Sequence, residues 1–156
     1  MGHVADIFSE SVIAGLEGDV AIGHTRYSTA GSSVLANAQP ILARYREGPL
    51  ALGHNGNLTN AAALRQDLVA KGSIFQTSSD SEVLIHLIAR SEAREPEDQL
   101  LDALERVEGA YSLVVTIGRT LYAIVDPRGF RPLWLGRLGE GYFVASETCA
   151  FDLGGG

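Results

Sequence analysis

The chain has 156 residues, 46% hydrophobic and 20% charged, enough for one domain with a sizeable core and far from a disordered composition. Asp and Glu total 19 against 12 Lys and Arg, a net charge of −7, so it lacks the basic footprint of a nucleic-acid binder or of a protein held to an anionic membrane. Its 18 glycines follow no three-residue period, which excludes collagen.

In chain order, the opening Met1-Gly2-His3-Val4-Ala5-Asp6 has no basic and apolar leader pattern and no myristoylation pattern, and the first ten residues promise little local structure. Residues 20–24 read as a short strand that empties into a polar loop, and residues 28–38 as a loop of some length. Residues 49–54 form an apolar run that Asn55-Gly56-Asn57, a turn-forming sequence, should stop.

Three helices follow. Residues 60–70 place Ala61, Leu64 and Leu68 on one face, with Thr59 or Asn60 as cap and Gly72 just past the end. Ser79-Asp80-Ser81-Glu82 fits a capping box, Ser79 at the cap and Glu82 three residues on, before Val83, Leu84, Leu87 and Ile88. Glu95-Pro96 opens the third, with Leu100, Leu101, Leu104 and Val107 at helical spacing.

From Gly109 the period changes to that of strands, over residues 110–117, 121–125, 133–135 and 142–145, with glycine-rich turns between. Strands, then helices, then strands imply an α+β fold with a largely antiparallel sheet. Gly154-Gly155-Gly156 ends without a completed element. No apolar stretch approaches the ~20 residues that span a bilayer.

Few residues suit chemistry. Asn55-Gly56 offers a side-chain amide beside a glycine N–H, two neutral donors fit for a developing oxyanion; taken alone, the pair reads first as a type I′ hairpin turn. Arg26, at a strand end, is either a clamp for a carboxylate or a solvated arginine. Asp80, at the first helical position, suits the helix dipole, and a carboxylate held there by helix N–H groups would also suit a substrate ammonium. His3, His24, His54 and His86 show no metal-ligand spacing, so no metal site is expected. The single cysteine, Cys149, permits no internal disulfide and no cysteine-based zinc cluster, which suits a reducing, cytoplasmic compartment. With no basic neighbour, it reads as a small packed residue rather than a nucleophile.

Read together, Gly23-His24-Thr25-Arg26-Tyr27-Ser28-Thr29-Ala30-Gly31, Asn37-Ala38-Gln39-Pro40, His54-Asn55-Gly56-Asn57-Leu58-Thr59-Asn60 and Thr77-Ser78-Ser79-Asp80-Ser81-Glu82 resemble the glutaminase domain of the amidophosphoribosyltransferase family. So do Gly109-Ala110-Tyr111-Ser112, Asp126-Pro127-Arg128-Gly129-Phe130-Arg131-Pro132-Leu133 and Ser146-Glu147-Thr148, in the family's order. Related class II amidotransferases carry Trp and His where this chain has Tyr27 and Ala30.

The resemblance implies the N-terminal-nucleophile hydrolase fold, four layers α-β-β-α with antiparallel sheets, its N-terminal part missing here. It implies glutamine hydrolysis by an N-terminal cysteine thiolate, with the α-amino group as base, to supply ammonia for 5-phosphoribosylamine formation from phosphoribosyl pyrophosphate. Carried over residue by residue, Arg26 and Thr29 hold the glutamine α-carboxylate, Asn55 and Gly56 form the oxyanion hole, and Asp80 pairs with the α-ammonium. Met1-Gly2 stands in place of the nucleophile, so the chain is expected to be an inactive fragment of a longer protein, holding one domain and no cofactor. Mg2+ is expected for a missing phosphoribosyltransferase domain that receives the ammonia, and the full-length protein is expected to be a homo-oligomer. The alternatives are a glucosamine-phosphate synthase type of amidotransferase and a nucleophile-free glutamine-binding module.

Overall fold

A computed structural model describes residues 4–25 and 35–154. The strands β1 (Ile41–Tyr45), β2 (Gly48–Leu58), β3 (Gly109–Ile117) and β4 (Thr120–Val125) form one antiparallel sheet in that order. Between β2 and β3 the chain makes three helices, α3 (Ala61–Ala70), α4 (Ser81–Arg90) and α5 (Pro96–Leu104). A second antiparallel pair, β5 (Trp134–Leu138) and β6 (Gly141–Ala145), follows. Short helices α1 (Val4–Ile7) and α2 (Glu10–Ala14) open the chain, and α6 (Cys149–Gly154) lies at the other end. The architecture is α+β and antiparallel, as the grouping of strands and helices implies.

Alternation along β2 and β3 gives their sheet one oily face. Leu50 stands opposite Ile117 and Leu52 opposite Val115, all buried and joined in one cluster with Val83, Leu84, Leu87 and Ile88 of α4 and Leu100 and Ala103 of α5. Each such side chain, fully buried, contributes about 1.5–3 kcal/mol. α4 is the central helix, packed against α3, α5, β1 and β2, which is why seven of its ten residues are buried. The opposite face carries Ala51 against Thr116, Gly53 against Val114 and Asn55 against Ser112. These small and polar pairs leave it free to line a site.

The local reading fails where a neighbour overrides it. Asn55-Gly56 is no turn: β3 offers a partner to every residue from Leu50 to Leu58, so the ladder runs straight through, with Gly56 at φ +149°. Residues 20–24 form no strand; Ile22 and His24 pack over Gly53 instead, and a histidine ring rather than the backbone meets β2. β1 has no sequence signal at its turn, because Arg46-Glu47 is not a turn pair; the chain reverses with Gly48 at φ +100°. The first ten residues do hold helix, in α1 and the start of α2, and α6 completes an element near the C-terminus.

The expected capping box at α4 does not close. Asp80 is the cap residue, and the Glu82 carboxylate turns back to the N–H groups of Gln76 and Thr77, each at 2.8 Å, and to the Thr77 hydroxyl. Asn60 caps α3 by position, while its side chain joins Arg106 O and Glu108 N. Cys149 is exposed, not packed.

One carboxylate organises the turn after β4. Buried Asp126 accepts from the N–H groups of Tyr111, Arg128, Phe130 and Arg131 at 3.3, 2.9, 3.0 and 3.4 Å.

Two glycines let β2 and β3 approach closely. A Cβ on Gly109 would stand 2.2 Å from Asn57 O, and one on Gly56 2.1 Å from Ala110 O. Gly109→Ala is therefore expected to cost about 3 kcal/mol, from overpacking added to an unfavourable φ. Gly118→Ala, at φ +58° with nothing within 4 Å, should cost only about 1–2 kcal/mol. Urea unfolding of the two variants measures the difference, and equal losses would remove the close-approach argument.

Candidate active site

The polar face of the four-stranded sheet and β6 enclose a cleft of about 1300 Å3. Gly53, Asn55, Asn57, Ser112 and Val114 form its floor. Residues 21–25, the loop at Ser78-Ser79-Asp80, Arg131 and the stretch from Tyr142 to Glu147 form its walls.

The cleft is built on an unfinished edge. β1 pairs with β2 only as far as Ile41 opposite Leu52, so beyond that point the N–H groups of His54, Gly56 and Leu58 face no strand among the described residues. The His54 N–H donates to Gln39 Oε1 at 2.6 Å and the Leu58 N–H to Asp80 Oδ2 at 2.9 Å. Gly56 N–H lies between them, and no described residue accepts from it. The Asn55 side chain points from the other face of the strand into the cleft, and its amide has no partner among the described residues.

Asp80 is thus fastened to a strand, not to the N–H groups of its own helix as the sequence suggested. Its Oδ1 accepts from the Ser81 hydroxyl at 3.3 Å and lies 3.7 Å from His54 Nδ1. Burial pushes the carboxyl up, but the neighbouring His54 ring, the Leu58 N–H and the Ser81 hydroxyl together hold it down at about 2. The result is a fixed carboxylate on one wall, with two neutral donors two residues away along the strand. That set can seat an ammonium and polarise a carbonyl.

A model of the glutamine amidotransferase domain family matches residues 24–152. The chain belongs to the glutamine amidotransferase family. It is 55% identical over 154 residues to amidophosphoribosyltransferase 2, chloroplastic, of Arabidopsis thaliana, covering 98% of this chain and 28% of that one. It is 47% identical over 155 residues to the amidophosphoribosyltransferase of Bacillus subtilis, covering 99% of this chain and 33% of that one. Among solved structures, an allosteric regulatory enzyme of purine biosynthesis superposes with a TM-score of 0.81 at 50% identity, over 85% of this chain and 29% of that one. The glutamine phosphoribosylpyrophosphate amidotransferase of B. subtilis, complexed with ADP and GMP, superposes with a TM-score of 0.78 at 49% identity, over 85% and 28%. The chain spans about a third or less of the length of these relatives. Its fold is that of the N-terminal-nucleophile hydrolases, here a helical layer and two antiparallel sheets with the cleft between the sheets.

Of the five site residues named from the sequence, Asn55, Gly56 and Asp80 come together at this cleft, while Arg26 and Thr29 lie outside the described residues. Sequence reasoning assigned no role to the residues that brace the loop leading to Asp80. Arg65 of α3 donates to Thr77 O and Ser79 O at 3.0 and 2.7 Å, its guanidinium stacked 3.9 Å over Phe75. Asn37 exchanges hydrogen bonds with Ser78 at 2.8 and 3.1 Å. No periodicity marks them, because each acts across 12 or more residues of chain.

The Asp80 environment has a pH signature. Its carboxyl sits lower folded, at about 2, than the ordinary 3.8, so it contributes stability that is complete above about pH 4 and lost as pH falls toward 2. The contribution amounts to about 2 kcal/mol. Urea unfolding from pH 6 to pH 2 should show wild type and Asp80→Asn converging across that window. A gap that stays constant would mean that the carboxylate is not held ionised.

Proposed function

We propose that the chain binds L-glutamine in this cleft and forms the glutamine-hydrolysing part of an amidophosphoribosyltransferase, whose ammonia passes to a phosphoribosyltransferase domain to give 5-phosphoribosylamine from phosphoribosyl pyrophosphate. The observation that carries the reading is the anchoring of Asp80 on the Leu58 N–H, two residues along β2 from Gly56. Alternate residues of a strand stand about 7 Å apart, which suits a substrate with an ammonium at one end and an amide carbonyl at the other. Asp80 takes the α-ammonium, and Asn55 Nδ2 with Gly56 N–H takes the oxyanion that forms when a thiolate attacks the side-chain amide. Arg26 and Thr29 are assigned to the α-carboxylate on the family's pattern alone.

The attacking thiolate comes from a segment other than those described, since exposed Cys149, the sole cysteine, lies in α6 and does not line the cleft. Mg2+ is assigned, on the family's pattern alone, to the phosphoribosyl-transferring part of the full-length protein. We place that protein in the cytoplasm as a homo-oligomer; exposed Trp134 and Leu135 favour self-association.

The test is steady-state kinetics of the full-length polypeptide carrying this chain, with glutamine or ammonia as nitrogen donor. Asp80→Asn should lower kcat/KM for glutamine about 30-fold or more, mainly through KM, and leave ammonia-dependent synthesis unchanged. Cys149→Ser should leave both activities at wild-type levels. Ammonia supporting synthesis where glutamine does not, or both activities falling together in Asp80→Asn, would defeat the assignment.

A further inference from the structure

Within the Asn37-Ala38-Gln39-Pro40 motif Asn37 braces the loop before Asp80, and the Gln39 side chain touches both halves of the cleft. Extending the register of Ile41 with Leu52 by two residues sets Gln39 opposite His54. The backbone ladder between β1 and β2 stops at Ile41. The Gln39 side chain replaces the missing rung: its Oε1 accepts from the His54 N–H at 2.6 Å, directly before the Asn55-Gly56 pair. Its Nε2 donates to Ser81 Oγ at 3.4 Å, and that hydroxyl serves Asp80 Oδ1 at 3.3 Å and meets His54 Nδ1 at 2.8 Å.

We infer that Gln39 is a positioning residue for glutamine hydrolysis, the amide that fixes the peptide planes of β2 on which the Asn55 amide and the Gly56 N–H are aimed. The inference rests on the proposed glutaminase reaction. Gln39 lines the cleft but is occupied by His54 and Ser81, so it acts through its neighbours. Losing it frees the 54–56 stretch to rotate on the side of β2 where no described strand pairs with it. The hydrophobic cluster on the helical face is untouched, since Gln39 is not part of it. Oxyanion donors act on charge that develops in the transition state, so misaiming them lowers kcat, whereas loss of the Asp80 carboxylate raises KM.

Two variants of the full-length polypeptide test this. Gln39→Met keeps the length and removes both hydrogen bonds; glutamine-dependent kcat should fall about 10- to 100-fold with KM little changed. Ammonia-dependent synthesis should stay at the wild-type rate, and deuterium exchange at the His54 amide should accelerate. Gln39→Glu keeps the acceptor for the His54 N–H and should hold kcat within a few-fold of wild type, which also covers a Met variant that fails to fold. The inference is overturned if Gln39→Met retains wild-type kcat, if glutamine- and ammonia-dependent rates drop in parallel, or if Gln39→Glu loses as much kcat as Gln39→Met. A wild type that uses ammonia but no glutamine fails the functional reading itself; a wild type that turns over glutamine beside an equally fast Met variant fails only this inference.

Discussion

β1 ends at Ile41 while β2 continues to Leu58, and this mismatch of length is the constraint on which the site depends. A strand edge without a partner leaves backbone N–H groups that must find acceptors or remain available. Here side chains take the first and the last, Gln39 at His54 and Asp80 at Leu58, and the one between, at Gly56, meets no acceptor among the described residues. The same stroke that satisfies the edge fixes a carboxylate beside it. A longer β1 would pair these groups with backbone carbonyls and close the cleft's edge.

The other side of β2 has no such freedom. β3 pairs with it along nine residues, and at Gly56 and Gly109 the two backbones come too close for any Cβ. The oily face then locks the sheet onto α4, and α4 brings Asp80 with it, because the cap residue is set by where its helix packs. Core burial and site geometry are one arrangement: Leu52 and Val115 hold the strand, and the strand holds the donors.

Electrostatically the cleft is economical. Asp80 is partly buried yet stays ionised, because two hydrogen bonds and a neighbouring ring outweigh the cost of leaving water. Its anchoring also restricts its rotamers, so little conformational entropy remains to be lost when a cation arrives. The loop that carries it is pinned from three directions, by Arg65, Glu82 and Asn37, which is how a loop side chain reaches the precision of one on a rigid element.

By itself the sequence determined the helices α3 and α5, the strands from Gly109 onward, the α+β class and, through its motifs, the family, because these are carried by local periodicity, turn glycines and fixed residue strings. Asn55, Gly56 and Asp80 were legible for the same reason. What only the tertiary structure decided is what those residues rest on: that Asn55-Gly56 runs through a strand rather than a turn, that Asp80 bonds a strand rather than its own helix, and that Glu82 serves a loop rather than a capping box. Hairpin turn and strand differ little in local energy, so the choice passes to β3, more than 50 residues away, whose ladder and close backbone approach exist only once the helices between have packed.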